Sequence, residues 1–243
     1  MNYVLIVGAK SDIAKELAKV YAKNGFNLYL AGRNKNEIEL MAKDINIRFG
    51  VKTLAKELDV TDYKTHKIFY NSLNPKPAGV IIASGYMAEQ KECEKDFEKS
   101  LNTINTNFTG AVSILNIIAN DMEARGDGFI VGISSVAGDR GRKTNYIYGS
   151  SKAGFTAYLS GLRNRLHSSS VKILTVKPGF VNTKMTAELD LPAKLTAEAK
   201  DVAIGIYNAQ RKGKDVIYTK SIWWFIMLII KNIPERIFKR LLI

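Results

Sequence analysis

Three side chains close together in the chain could handle one proton between them. Tyr148 and Lys152 stand four positions apart, and Ser135 lies thirteen positions before the tyrosine. The residues that follow carry an apolar stripe at helical spacing, Phe155, Leu159, Leu162 and Leu166. A helix that starts by Tyr148 therefore puts phenol and ammonium on one face. A neighbouring ammonium favours phenolate and draws the tyrosine pKa down from about 10 towards working pH. A phenol so tuned can give or take the proton of a carbonyl/alcohol pair. Ser135 follows the apolar run 129–133, which reads as a strand. A hydroxyl at a strand's C-terminal end can hydrogen-bond the same substrate oxygen.

The elements that must hold these groups follow from periodicity. Apolar runs near 3–7, 27–31, 51–55, 79–83, 128–133, 170–176 and 215–218 alternate with helical patterns near 12–24, 35–48, 62–73, 101–124, 148–167 and 198–210. Such alternation predicts an α/β fold, a doubly wound parallel sheet of about seven strands with helices on both faces. At 243 residues and 46% hydrophobic content the chain suits one large domain. We place that domain at 1–219 and a separate apolar, then basic, helical tail at 220–243. The N-terminus, with no cationic segment or cleavage site, reads as a first strand and not as a signal peptide.

Serine, then tyrosine thirteen residues on, then Tyr-x-x-x-Lys, resembles the active site of the short-chain dehydrogenase/reductase family. Other motifs carry the resemblance further. Gly8 to Ala14 joins the first strand to a helix, where backbone amides can hold a pyrophosphate. It is similar to the family's Gly-x-x-x-Gly-x-Gly turn, with Asp12 and Ala14 in place of two glycines. A carboxylate is repulsive beside a pyrophosphate unless it points away, but favourable at a helix start. The resemblance assigns Gly8, Lys10, Ser11, Asp12 and Ile13 to the cofactor. Where an NAD enzyme places an acid after the second strand, this chain has Arg33, which suits a 2′-phosphate. Lys10 could reach the same phosphate; the alternative for both is a solvated loop cation. The expected cofactor is NADP(H), in preference to NAD(H).

The same resemblance implies an adenine contact at Asp59 and Val60, with helix capping as a compatible role for Asp59. It places Ala83, Ser84 and Gly85 where the family has Asn-Ala-Gly against the cofactor. Asn107, in Asn-Phe-Thr-Gly, corresponds to a fourth catalytic residue that binds a water near the lysine; a purely structural buried asparagine is the alternative. Pro178, Val181 and Thr183 match the Pro-Gly-x-Val-x-Thr that binds the carboxamide side of nicotinamide. The catalytic set is thus Asn107, Ser135, Tyr148 and Lys152, with Tyr148 and Lys152 also touching cofactor. Residues 86–95 read as a polar loop, and 184–196 as a lid whose apolar face meets either substrate or its own domain. Arg140, Arg142 and Lys143 are expected near the pocket mouth, either on a phosphate or phospholipid or simply solvated.

A formal charge of +13 asks for an anionic partner. No basic-aromatic array points to nucleic acid, which is not expected. His66 and His167 form no metal cluster, and both read as surface residues; no metal is expected. The single cysteine, Cys93, fits a reducing compartment as a bystander. In the tail, residues 222–230 are nine apolar residues in a row. A helix of that length rises about 14 Å, half a bilayer's hydrocarbon. Its two tryptophans and the basic residues Arg236, Lys239 and Arg240 suit a membrane interface; a buried contact between subunits is the alternative. The tail is similar to that of the branch that reduces the keto-sugar of a polyprenyl-phosphate pentose. These features imply an NADP(H)-dependent enzyme interconverting a ketone and a secondary alcohol, on a lipid-linked or phosphorylated keto-sugar. They imply a homodimer or homotetramer, cytoplasmic or peripheral at the inner face of the cell membrane. A cofactor sensor with weak turnover, or a membrane- or partner-binding module, is the alternative on the same fold.

Overall fold

A computed structural model describes residues 2–241. Met1, Leu242 and Ile243 lie outside the described residues, the last two within the expected tail. The strands are β1 (Tyr3–Val7), β2 (Asn27–Gly32), β3 (Thr53–Glu57), β4 (Gly79–Ile82), β5 (Phe129–Ile133), β6 (Lys172–Pro178), β7 (Val181–Asn182), β8 (Ala197–Glu198) and β9 (Val216–Thr219). Seven of them form one sheet in the order β3-β2-β1-β4-β5-β6-β9, every pairing parallel. β7 and β8 pair separately beside the lid. Every residue of β1 and β5 is buried, as runs with both faces covered require.

The helices are α1 (Asp12–Lys23), α2 (Lys35–Phe49), α3 (His66–Asn71), α4 (Gln90–Lys95), α5 (Phe97–Ile104), α6 (Gly110–Arg125), α7 (Tyr146–Arg165), α8 (Ala199–Arg211), α9 (Ile222–Asn232) and α10 (Glu235–Phe238). One face of the sheet packs against Leu17 and Tyr21 of α1, Ile38 of α2 and Ile206 of α8. The other packs against Phe69 of α3, Leu115 and Ile118 of α6, and Phe155 and Leu159 of α7. The sheet order reverses between β1 and β4, which opens a crevice at their carboxyl ends.

Several local expectations need correcting. Residues 86–95 are not wholly a loop. α4 forms there because Gln90 and Cys93 are buried, and the Gln90 side chain accepts a hydrogen bond from the Ile147 amide at 3.1 Å. The helix expected over 101–124 begins earlier, at α5, capped by Asp96, and is interrupted by a π turn at Asn105–Thr109. His66 is not a surface residue. It is fully buried, and its ring nitrogens lie 3.0 Å from Ser113 Oγ and 3.3 Å from the Asp59 carbonyl. Two such partners make a buried imidazole tolerable.

Arg140 does not reach towards a pocket mouth. Its guanidinium donates to the carbonyls of Ile230 (2.7 Å) and Ile233 (2.6 Å), pairs with Glu235, and stacks over the Phe238 ring at 3.6 Å. Free carbonyls at a helix C-terminus attract a cation, and the end of α9 supplies them. α9 lays Trp223 and Met227 into a small core with Val136, Phe180, Leu195 and Tyr218. Its opposite side leaves Ile222, Trp224, Phe225, Leu228 and Ile229 each 45–57% exposed. Among the described residues, no helix is long and apolar enough to cross a membrane.

Candidate active site

A cleft of about 430 Å³ opens at the crevice between β1 and β4. Its floor is the turn after β1. Gly8 sits at φ +81°, and a Cβ there would fall 2.5 Å from the Ser84 amide nitrogen. Only glycine lets the turn and the end of β4 approach this closely. Ser11 caps α1 by accepting from the Ala14 amide at 3.2 Å, so the helix N-terminus faces the cleft. Lys10, Ser11, Asp12 and Ile13 line it, as do Arg33, Asp59, Val60, Ala83, Ser84 and Gly85. Ser135, Tyr148, Lys152, Pro178, Val181 and Thr183 complete the opposite side.

The structure thus gathers every residue assigned to the cofactor around one cavity. Positive φ at Gly8, amides at a helix start and an unpartnered Ser84 Oγ buried in the wall fit an elongated ligand bearing phosphates. Lys10 is already engaged, its ammonium 2.6 Å from Glu37. That pair is exposed at the rim and weak enough to yield to a phosphate. The Asp59 carboxylate accepts from the Thr61 amide and hydroxyl at 2.9 and 2.7 Å, so it holds its own turn while lining the cleft.

The Ser135, Tyr148 and Lys152 side chains meet at the carboxyl end of β5. Ser135 lies two residues past that strand, its side chain accepting from the Ala137 amide at 3.1 Å. Tyr148 and Lys152 project from the first turns of α7, as their spacing requires. Lys152 Nζ lies 5.8 Å from the centre of the Tyr148 ring and donates to the Ile133 carbonyl at 3.0 Å. The expected acidified phenol is not what this arrangement produces. Burial pushes Tyr148 up to about 12, against a hydrogen bond with Ser135 that pulls the other way. Burial also brings Lys152 down to about 8. Each charged form loses water in the same small space, which raises the phenol and lowers the ammonium.

Asn107 does not line the cleft. It is 1% exposed at the π turn. Its side chain accepts from the Tyr86 amide at 2.8 Å and donates to the Tyr86 carbonyl at 2.8 Å and Ser151 Oγ at 3.0 Å. Those partners account for a polar residue inside an apolar helix. Ser134, which sequence reasoning did not assign, also borders the cleft; its hydroxyl donates to the Lys152 carbonyl at 3.0 Å and pins α7 to β5. Lys184, Met185 and Thr186 of the expected lid border it too. Arg142 and Lys143 are not among the residues lining the cleft.

The loop after Ser135 is fastened from behind. Asp139, with its side chain 3% exposed, accepts from Lys177 at 2.5 Å and from the Tyr218 hydroxyl at 2.6 Å. Lys177 directly precedes the Pro178-Gly179 turn, which Trp223 covers. A Cβ on Gly179 would fall 2.0 Å from the indole.

A model of the short chain dehydrogenase family matches residues 2–193. An uncharacterized oxidoreductase of Mycobacterium tuberculosis is 32% identical over 241 residues, 98% of this chain and 96% of its own length. Among solved structures, a short-chain dehydrogenase from Sphingobium yanoikuyae in complex with NADPH superposes with a TM-score of 0.83 at 22% identity, covering 97% of each chain. A short chain dehydrogenase from Burkholderia cenocepacia in complex with NADP gives 0.84 at 18% identity, covering 100% of this chain and 98% of that one. The sheet order, the cleft and the Ser135, Tyr148 and Lys152 cluster agree with these matches: this chain is an oxidoreductase of the short-chain dehydrogenase/reductase family.

Proposed function

We propose that the chain interconverts a ketone and a secondary alcohol using NADP(H). The observation that carries this reading is the convergence of Ser135, Tyr148 and Lys152 on the cleft that also holds the Gly8 turn. When bound, the dinucleotide supplies or accepts a hydride at the substrate carbon. The protein's part is the oxygen. Ser135 donates a hydrogen bond to the carbonyl oxygen, and Tyr148 delivers its proton as negative charge grows there. A phenol pushed up to about 12 holds that proton at neutral pH, which suits the direction of reduction. The Lys152 ammonium stabilises the phenolate left behind and would hold the nicotinamide ribose, as the family resemblance suggests. The family resemblance puts Asn107 next in the proton relay; held by Tyr86 and Ser151, it acts from behind the cleft wall.

Arg33, exposed at the cleft rim, and Lys10 support NADP(H) over NAD(H), in line with the NADPH and NADP complexes of the structural neighbours. Met185 on the lid and the apolar tail favour a substrate with an apolar part. We therefore favour a lipid-linked or phosphorylated keto-sugar, as in the polyprenyl-phosphate keto-pentose branch, handled by a homo-oligomer. The exposed side of α9, flanked by exposed Lys220, Lys231, Arg236, Lys239 and Arg240, supports seating on an anionic membrane surface at the inner face of the cell membrane. The test is NADPH oxidation over a panel of plain and phosphorylated keto-compounds, with NADH in parallel. Tyr148→Phe should lower turnover by about 10²–10⁴-fold while NADPH still binds. Turnover retained in that variant refutes the assignment.

A further inference from the structure

The carboxylate that breaks the glycine pattern has a partner 172 positions away. Asp12 Oδ2 accepts a hydrogen bond from the Lys184 main-chain nitrogen at 2.8 Å, and Oδ1 accepts from Lys15 Nζ at 3.2 Å. Asp12 is the first residue of α1; Lys184 is the first residue of the lid turn Lys184–Thr186. Both line the cleft, with Thr183 beside them, so the bond spans its mouth. Burial works against the Asp12 charge, but the bond from Lys184 and the pairing with Lys15 outweigh it, and the carboxyl lies below its ordinary range.

The two ends of the lid are held unequally. At the far end Lys220 donates to the carbonyls of Lys194 (2.8 Å) and Thr196 (2.7 Å), and the Trp223 indole donates to the Leu195 carbonyl (3.1 Å). Among the described residues, the side-chain hydrogen bond joining the lid's near end to the first turn is the one from Asp12. Within the near end the Thr186 hydroxyl also donates to the Val181 carbonyl at 2.6 Å, but that bond stays inside the segment and leaves the one from Asp12 to join it to α1. We infer that Asp12 is a positioning residue for the lid, a latch whose carboxylate–amide bond gates passage of the dinucleotide in both directions. This rests on the cleft being the dinucleotide site. It also accounts for an acid beside expected phosphates: the charge faces the lid's amide.

The test compares wild type, Asp12→Ala and Asp12→Asn by stopped-flow NADPH binding and by amide hydrogen exchange of the cofactor-free chain. A gate lost should raise association and release together in Asp12→Ala, release by about tenfold, with Kd changed by less than about threefold. Exchange at the Lys184 amide should rise by about tenfold. Asp12→Asn keeps an acceptor and should stay near wild type in all three readouts. Faster association with slower release in Asp12→Ala would mean that Asp12 only repels phosphate, and the latch would be wrong. Unchanged Lys184 exchange in Asp12→Ala, or Asp12→Asn behaving like Asp12→Ala, would also overturn it. Should wild type fail to bind NADPH, the cofactor reading falls, while the exchange measurement still decides the latch.

Discussion

Lys152→Met should make the protein more stable at neutral pH while abolishing turnover. Lys152 is 3% exposed, and burial lowers its pKa from 10.5 to about 8. Below pH 8 the lysine is charged in both folded and unfolded chains, and the fold carries the full penalty, about 3 kcal/mol. Methionine removes the charge at similar length but forfeits the bond to the Ile133 carbonyl, a loss of about 1 kcal/mol. The net gain near pH 7 is about 2 kcal/mol, or about 4–8 °C in melting temperature for a chain of this size. The sign changes with pH. Between about 8 and 10.5 the unfolded chain binds more protons than the folded one, so wild-type stability rises with pH through that window. The variant lacks this rise, so its advantage shrinks and then reverses by about 1 kcal/mol above pH 10.5. Thermal melts of both proteins from pH 6 to 11 measure this directly. A variant less stable than wild type at pH 7, or an advantage that stays constant across the series, would refute the reasoning.

Asp139→Ala strands the Lys177 cation among buried groups and should cost about 3–5 kcal/mol, a drop of about 6–20 °C; Asp139→Ala with Lys177→Met should recover much of it, and a double variant no better than the single contradicts the pairing. Arg140→Ala removes the guanidinium from the end of α9, so limited proteolysis within 220–241 should quicken by about tenfold or more; equal cleavage rates would show that the cap does not hold the tail. Trp224→Ser with Phe225→Ser alters side chains that are 55% and 57% exposed, so melting should change little. Co-sedimentation with anionic vesicles should fall by about a hundredfold, and unchanged sedimentation would remove α9 from the membrane reading.

What could be read from the chain beforehand was whatever depends on short spacing. β1 is a wholly apolar run with room for nothing but a buried strand, and Tyr148 and Lys152 share a helix face whatever surrounds them. The turn residues Gly8 to Ile13 reach the cleft because a strand and a helix flank them directly. Features set by distant partners were not legible. Arg140 has the chemistry of a phosphate ligand, and only the tail folding back 90 positions later converts it into a helix cap. His66 looks solvated until Ser113 arrives from α6. The phenol's proximity to an ammonium was legible, but its environment was not: the spacing sets the neighbour, whereas the fold sets how much water each group loses, and that decided the direction. Asp12 looked anomalous beside a phosphate because its partner belongs to the lid.

The contact between Trp223 and Gly179 ties two stretches together as a matched pair. The family match ends at residue 193, yet an indole thirty positions beyond it forms the back wall of the turn assigned to nicotinamide. A protein shortened at Thr219 would lose that wall along with any lipid-facing surface, exposing Phe180, Val136 and Tyr218 together. Grafting a relative's C-terminal segment onto this chain would likewise require choosing residue 179 to suit the new occupant. The proposed membrane seating is therefore testable apart from turnover only by editing the outward side of α9, side chain by side chain, while its inward side stays docked.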